Sequence, residues 1–196
     1  MTEPMKYGQT EFEVHLPPEL IAAELEPNQV DLPQRTTAEH IRWALDHPID
    51  SAPLKELVKA GDKVCVVISD VTRRWQAPDT YLPILIGELE AAGVRDEDIL
   101  ILSATGTHRR QTEEEHIGLV TKPVYDRIRV EDHVCTDQDN LAYVGTTSRG
   151  TPVWLDKRAL ACDKIILTGG VVYHFMAGFG GGRKSILPGI AGRETS

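Results

Sequence analysis

Val64-Cys65-Val66-Val67-Ile68 is an unbroken apolar run, mostly β-branched, with no polar residue inside it. A strand with one wet face alternates apolar and polar, so a continuous run suits a strand covered on both faces, as in parallel sheets. Downstream, Pro78 to Ala92 carries Leu82, Leu85, Ile86 and Leu89 at helical spacing, and Gly93 ends it. Ile99-Leu100-Ile101-Leu102 repeats the buried-strand pattern, Thr112 to Leu119 reads as a second helix, and Lys164-Ile165-Ile166-Leu167 is a third strong strand. Strand, helix, strand, helix, strand with short connections predicts an α/β fold: a mostly parallel sheet covered by helices on both faces, three-layered and Rossmann-like.

Weaker signals lie around this frame. Ile128-Arg129-Val130 is a short strand candidate, and Tyr143-Val144-Gly145 can pair with Pro152-Val153-Trp154-Leu155 as a hairpin across Ser148-Arg149-Gly150. Asp156 to Cys162 reads as a short helix. Toward the amino terminus, Thr36 or Thr37 can cap a helix that Pro48 stops, with Ile41, Ala44 and Leu45 on one face. Before that, Pro4, Pro17, Pro18, Pro27 and Pro33 leave no room for a long helix, although Phe12 to Leu16 alternates like a strand. The chain stops at Ser196, directly after the glycine-rich stretch from Ala177 to Gly192. The expectation is a single amino-terminal domain, residues 1–196, cut short before a second domain.

Charge narrows the function classes. With 21 Lys and Arg against 30 Asp and Glu, the net charge is -9. Such a chain repels a polyphosphate overall, which argues against nucleic acid as a general partner. No apolar run approaches the ~20 residues of a membrane helix, and the first residues lack a signal-peptide pattern. Cys65, Cys135 and Cys162 are far apart and odd in number, so they form neither a disulfide framework nor a CxxC metal clip. These features suit a cytoplasmic, globular chain.

Ligands of open parallel sheets collect beyond the carboxyl ends of the strands. Three loops leave the three strong strands: Ser69 to Arg74, Ser103 to Arg110, and Thr168 to Ser185. Each holds an adjacent pair of cations, Arg73-Arg74, Arg109-Arg110 and Arg183-Lys184. An otherwise acidic chain thus gathers positive charge on one edge, which predicts a site for phosphate or carboxylate. Asp70 and Thr72 also suit a plain turn with a cap. Arg74 and Arg110 read as solvated charges, and Glu113-Glu114-Glu115 as an acidic first helical turn. His15, His40, His47, His116 and His133 read as structural or exposed. His108 and His174 stand apart, because each follows a strong strand and lies near glycine.

Gly178-Phe179-Gly180-Gly181-Gly182-Arg183-Lys184-Ser185 invites comparison with a phosphate-binding loop. The NTPase pattern needs glycine directly before Lys-Ser, where this chain has Arg183, and Pro188-Gly189 compromises the helix that should follow. An NTP-hydrolase reading therefore fails. What remains is a backbone that approaches a ligand and delivers Lys184, as a phosphate clamp or as a nucleophile for covalent attachment.

Taken together, Ser69-Asp70-Val71-Thr72-Arg73, Thr105-Gly106-Thr107-His108, and the stretch from His174 to Gly189 resemble the amino-terminal domain of the nickel-dependent lactate racemase family. The resemblance runs from about Val14 to the end. It implies a nickel pincer nucleotide, a pyridinium mononucleotide whose thioamide is joined covalently to Lys184. It implies that His108 and His174 are the acid/base pair that takes and returns the hydroxyl proton of a 2-hydroxy acid, and that Arg73 meets the substrate carboxylate. Hydride would pass from the substrate's α carbon to the cofactor and return on the other face. Asp70, Thr72, Gly180, Gly181, Gly182, Arg183 and Ser185 complete the expected cofactor set.

The family's nickel-binding histidine is expected beyond Ser196, so no metal ligand is expected within this chain, which would be inactive alone. The implied partners are a small 2-hydroxy acid, a carboxy-terminal domain and cofactor-maturation enzymes, with no nucleic acid and no membrane. The competing reading is a non-catalytic nucleotide- or phosphate-binding regulatory domain that uses Arg183 and Lys184 as a clamp. The histidine pair distinguishes the two, since a binder has no use for it.

Overall fold

The computed structural model describes residues 2–26 and 28–196, so Met1 and Pro27 lie outside the described residues. They divide into two compact units, Met1–Gln34 and Arg35–Ser196. In the first, β1 (Thr2–Tyr7) pairs antiparallel with β2 (Thr10–His15), with Met5 opposite Phe12. Both strands are almost wholly exposed, and β1, with Pro4 inside it, gives no alternation from which the sequence could predict it.

The second unit opens with α1 (Thr37–Asp46). Glu39 N donates to Thr36 Oγ1 at 3.3 Å while Thr36 N donates to the Glu39 carboxylate at 2.7 Å, a reciprocal cap that satisfies two otherwise orphaned amides. There follow α2 (Leu54–Leu57), β3 (Val64–Ser69), α3 (Pro78–Ala91), β4 (Ile99–Ala104), α4 (Glu113–Val120), α5 (Lys122–Tyr125) and β5 (Arg129–Asp132). Thr112 caps α4 in the same reciprocal way. The predicted hairpin is present as β6 (Leu141–Thr146) with β7 (Pro152–Asp156), and α6 (Lys157–Leu160) leads into β8 (Lys164–Leu167).

Strands β5, β4, β3 and β8 form, in that order, one parallel sheet. Val67 of β3 lies opposite Leu102 of β4 and Leu167 of β8, which brings the carboxyl ends of all three to one edge. The unbroken apolar run of β3 splits as the pleat requires. Val64, Val66 and Ile68 join Ile99 and Ile101 against Leu82, Ile86 and Leu89 of α3 and Leu119 of α4. Cys65 and Val67 turn to the other face, with Leu100, Leu102, Ala159 of α6 and Ile190. Helices cover both faces unequally: α1, α3 and α4 on the first, a single turn of α6 and the coil around Ile190 on the second.

That coil is fastened from behind by buried charge. His133, which follows β5, is fully buried, with Nδ1 2.9 Å from Asp156 Oδ2 and Nε2 2.9 Å from the Ala191 carbonyl. Arg158 donates to both oxygens of Asp156, at 2.9 Å from Nε and 2.6 Å from Nη2, and also bonds Glu131. Burial alone would raise the Asp156 carboxyl, but the hydrogen bonds from Arg158 and His133 outweigh it and hold the carboxyl down at about 2. A folded value below the unfolded one means this stabilisation is complete above about pH 4 and disappears as pH falls toward 2, a loss of ~2 kcal/mol. Urea unfolding at stepped pH should show that acid limb in the native protein, and Asp156→Asn should lower stability at pH 7 and flatten the limb.

Candidate active site

The cleft lies where the carboxyl ends of β3, β4 and β8 meet. Asp70 follows β3 and is buried, 2% exposed. Both its oxygens are engaged: Thr72 Oγ1 donates to Oδ1 at 2.5 Å, Arg73 Nη1 donates to the same oxygen at 3.3 Å, and His108 Nδ1 donates to Oδ2. Asp70 therefore lies beneath His108 and grips its ring. With Nδ1 committed to a carboxylate, the neutral ring keeps its lone pair on Nε2, the nitrogen able to accept a proton.

His174 is held in the opposite sense. It ends β9 (Tyr173–His174), which pairs with β10 (Gly178–Phe179), and its Nδ1 accepts from the backbone N–H groups of Met176 at 3.3 Å and Ala177 at 3.2 Å. An accepting Nδ1 leaves the neutral ring's hydrogen on Nε2. The two histidines thus hold different tautomers, one anchored to a buried carboxylate and the other to an exposed hairpin.

A cleft of about 120 Å³ is lined by Arg73, His108, His174, Gly180, Gly181, Lys184 and Ser185, so seven of the residues singled out in the sequence share one wall. Asp70 and Thr72 act on that wall from behind. Gly182 and Arg183 are exposed and do not line it. Gly181 (φ +71°) must be glycine, since a Cβ there would lie 2.9 Å from the Gly170 carbonyl. Ser185 Oγ donates to the Thr168 carbonyl at 3.3 Å, and Gly106 N donates to the Gly189 carbonyl at 3.0 Å, so the loops after β4 and β8 brace one another.

Of the predicted cations, Arg109 is spent on Glu115 at 2.6 Å, outside the cleft. Arg73 and Lys184 remain. Burial pushes the Lys184 amine below its ordinary value, and neighbouring Arg73 lowers it further, against a smaller upward pull from Asp70. An amine so placed is a better nucleophile at neutral pH than a solvated lysine.

Two cleft residues gave no sequence signal. Trp75 and Gln76 line the wall beside Gly170, in the turn after Arg73. Ala77, next in the chain, adopts a left-handed conformation (φ +52°), which costs a non-glycine residue roughly 1–2 kcal/mol. Among the described residues there is no cluster of three or more histidine, cysteine or acidic side chains suited to a metal, and no helix long and apolar enough to cross a membrane. All three cysteines are free.

An open parallel sheet carrying at its carboxyl edge a cleft with an arginine, two histidines and a partly buried lysine defines the class, an α/β domain with its candidate site beyond the strand ends. The family model described as the lactate racemase N-terminal domain matches residues 7–196, and the chain belongs to that family. It is 36% identical over 158 residues to the lactate racemase of Lactiplantibacillus plantarum, covering 80% of this chain and 37% of that one. Identity to the lactate racemase of Thermoanaerobacterium thermosaccharolyticum is 31% over 186 residues, 94% of this chain and 43% of the relative. The solved lactate racemase apoprotein from that organism superposes with a TM-score of 0.80, covering 98% of this chain and 44% of that one. The chain thus spans about two fifths of the length of these relatives.

The charge balance at Lys184 has a measurable consequence. Acylation by a small activated ester, mapped by peptide mass against pH, should modify Lys184 at lower pH than a solvated model lysine. Arg73→Ala should shift that profile upward, since it removes a cation that disfavours the ammonium form. Asp70→Asn should shift it downward.

Proposed function

We propose that this chain is the amino-terminal, chemistry-bearing part of a 2-hydroxy acid racemase or epimerase, an isomerase that works with a nickel pincer nucleotide tethered to Lys184. The observation that carries the reading is the convergence of Lys184, His108 and His174 on one cleft. A phosphate-binding regulatory domain needs neither a depressed lysine nor a histidine gripped by a buried carboxylate.

The residues present suit the group. Lys184 is a half-buried amine held toward its neutral form, as amide-type bond formation requires, and the glycines at 180 and 181 let the backbone pass close to a planar ring. When bound, the cofactor serves as the acceptor and donor of the hydride at the substrate's α carbon. No metal ligand among the described residues is assigned; a nickel-binding histidine is expected outside this chain.

The chain's own part is proton handling and positioning. His108 Nε2 is ready to accept the hydroxyl proton, and the buried Asp70 carboxylate stabilises the imidazolium so formed. His174 serves the other substrate face and becomes a base once its Nδ1 is released from the Met176 and Ala177 amides. Arg73 bonds Asp70 through Nη1 and meets the substrate carboxylate with its remaining donors. Thr72 steadies that pair, while Arg183, outside the cleft wall, contributes to the general positive field. The reading places the enzyme in the cytoplasm, with a carboxy-terminal domain and the enzymes that make the cofactor as its partners.

The test is intact-protein mass spectrometry on the protein made beside those enzymes, with 2-hydroxy acid racemisation assayed in parallel. Wild type and Arg183→Ala should carry the adduct, and Lys184→Ala and Lys184→Arg should not, because a guanidinium is no nucleophile. An adduct persisting in Lys184→Ala would refute tethering at this residue. In loaded protein, Asp70→Asn should reduce kcat by roughly 10²–10⁴ with little change in KM, the scale expected when a general base loses its orienting partner.

A further inference from the structure

Trp75 is 63% exposed, an unusual position for the largest apolar side chain, and it lines the cleft beside Lys184 and His174. Its place is built. The outer ring of the indole lies against Gly170, where a Cβ would meet Cη2 at 3.0 Å and Cζ3 at 3.1 Å, so any side chain there would crowd the ring in this position. Gly170 in turn offers its carbonyl to the close approach of Gly181, three positions before Lys184. Beside the indole, Gln76 has a buried amide oxygen with no hydrogen-bond partner, an uncommon and costly state for a polar atom. A flat apolar wall beside an unpartnered acceptor suits a planar ligand that carries an N–H.

From this geometry we infer that Trp75 and Gln76 form the ring subsite of the cleft: the indole stacks on the face of an electron-poor pyridinium, and Gln76 Oε1 accepts a hydrogen bond from its amide-type substituent. The inference rests on the Lys184-tethered mononucleotide proposed above and adds what holds the ring flat. Indole is the most electron-rich aromatic side chain and attracts a cationic ring through its π face. One tether at Lys184 leaves the ring free to rotate about it; a stacking wall fixes which ring faces meet the two sides of the substrate.

Stacking is read without activity. Adduct content is measured by mass, and the Trp75 emission is taken as the difference between the protein and its Trp75→Phe variant. In adduct-bearing protein that emission, and its accessibility to acrylamide, should each fall by about twofold or more relative to the adduct-free Lys184→Ala protein, as contact with a pyridinium requires. Trp75→Phe should retain the adduct. Full adduct with unchanged Trp75 emission and accessibility overturns the stacking and leaves the tether standing. No adduct in the wild type overturns the tether and the ring subsite with it.

Discussion

Everything at the functional edge depends on one constraint, the parallel pairing of β3 with a neighbour on each side. Ser69 lies opposite Ala104, and Val67 opposite both Leu102 and Leu167, so three chain segments far apart in sequence leave the sheet side by side. Parallel strands cannot be joined by tight turns; each connection must cross over the sheet, and the helices that do so bury the apolar face. The same geometry that hides Val64, Val66 and Ile68 under α3 and α4 therefore forces the loops carrying Asp70, His108 and Lys184 together. A one-residue slip would exchange the buried faces of β3 and turn its following loop away.

The electrostatics of the edge follow from which charges find partners. The acidic excess is spread over solvated surface, where pairs such as Lys55 with Asp46 add little. Near the cleft the acids are consumed internally: Asp132 accepts from Gln111 N at 2.7 Å and Gln111 Nε2 at 2.8 Å and faces His116 Nε2 at 2.9 Å. Gln111 then accepts from Val71 N at 2.7 Å, which ties the turn after Asp70 to the loop after His108. What remains facing the cleft is a net positive balance of Arg73 and Lys184, suited to a carboxylate or a phosphate.

The sequence carried the two central strands because they are buried, and burial writes itself as continuous apolar runs; β8 shows the same run although it is a half-exposed edge strand. It also carried a threonine cap at Thr36 or Thr37 and the β6–β7 hairpin, since each has a local chemical signature; Thr112 was read as the first residue of its helix and is its cap. The strand β1 was illegible: exposed, interrupted by proline and paired only with β2, it has no periodicity to show. That His108, His174 and Lys184 would come to one edge was legible from the loops that follow the strong strands. The partners of Asp70 and His133 were not, because a carboxylate that grips a histidine 38 residues away, or a histidine that fastens a carbonyl 58 residues away, leaves no trace in local pattern. Trp75 escaped for the same reason: only the fold brings it against Gly170.

The two histidines differ in how firmly they are held. His108 is clamped by a carboxylate that is itself bound by Thr72 and Arg73 and braced through Val71 by Gln111, all within the packed unit. His174 is on a two-residue strand whose partner β10 is equally short, flanked by Tyr173 and Phe175, both nearly fully exposed. Local stability follows buried contact, so this hairpin belongs to the low-stability end of the molecule. On the racemase reading proposed above, His108 would be the fixed base beside Asp70, and His174 the base with room to move on its hairpin.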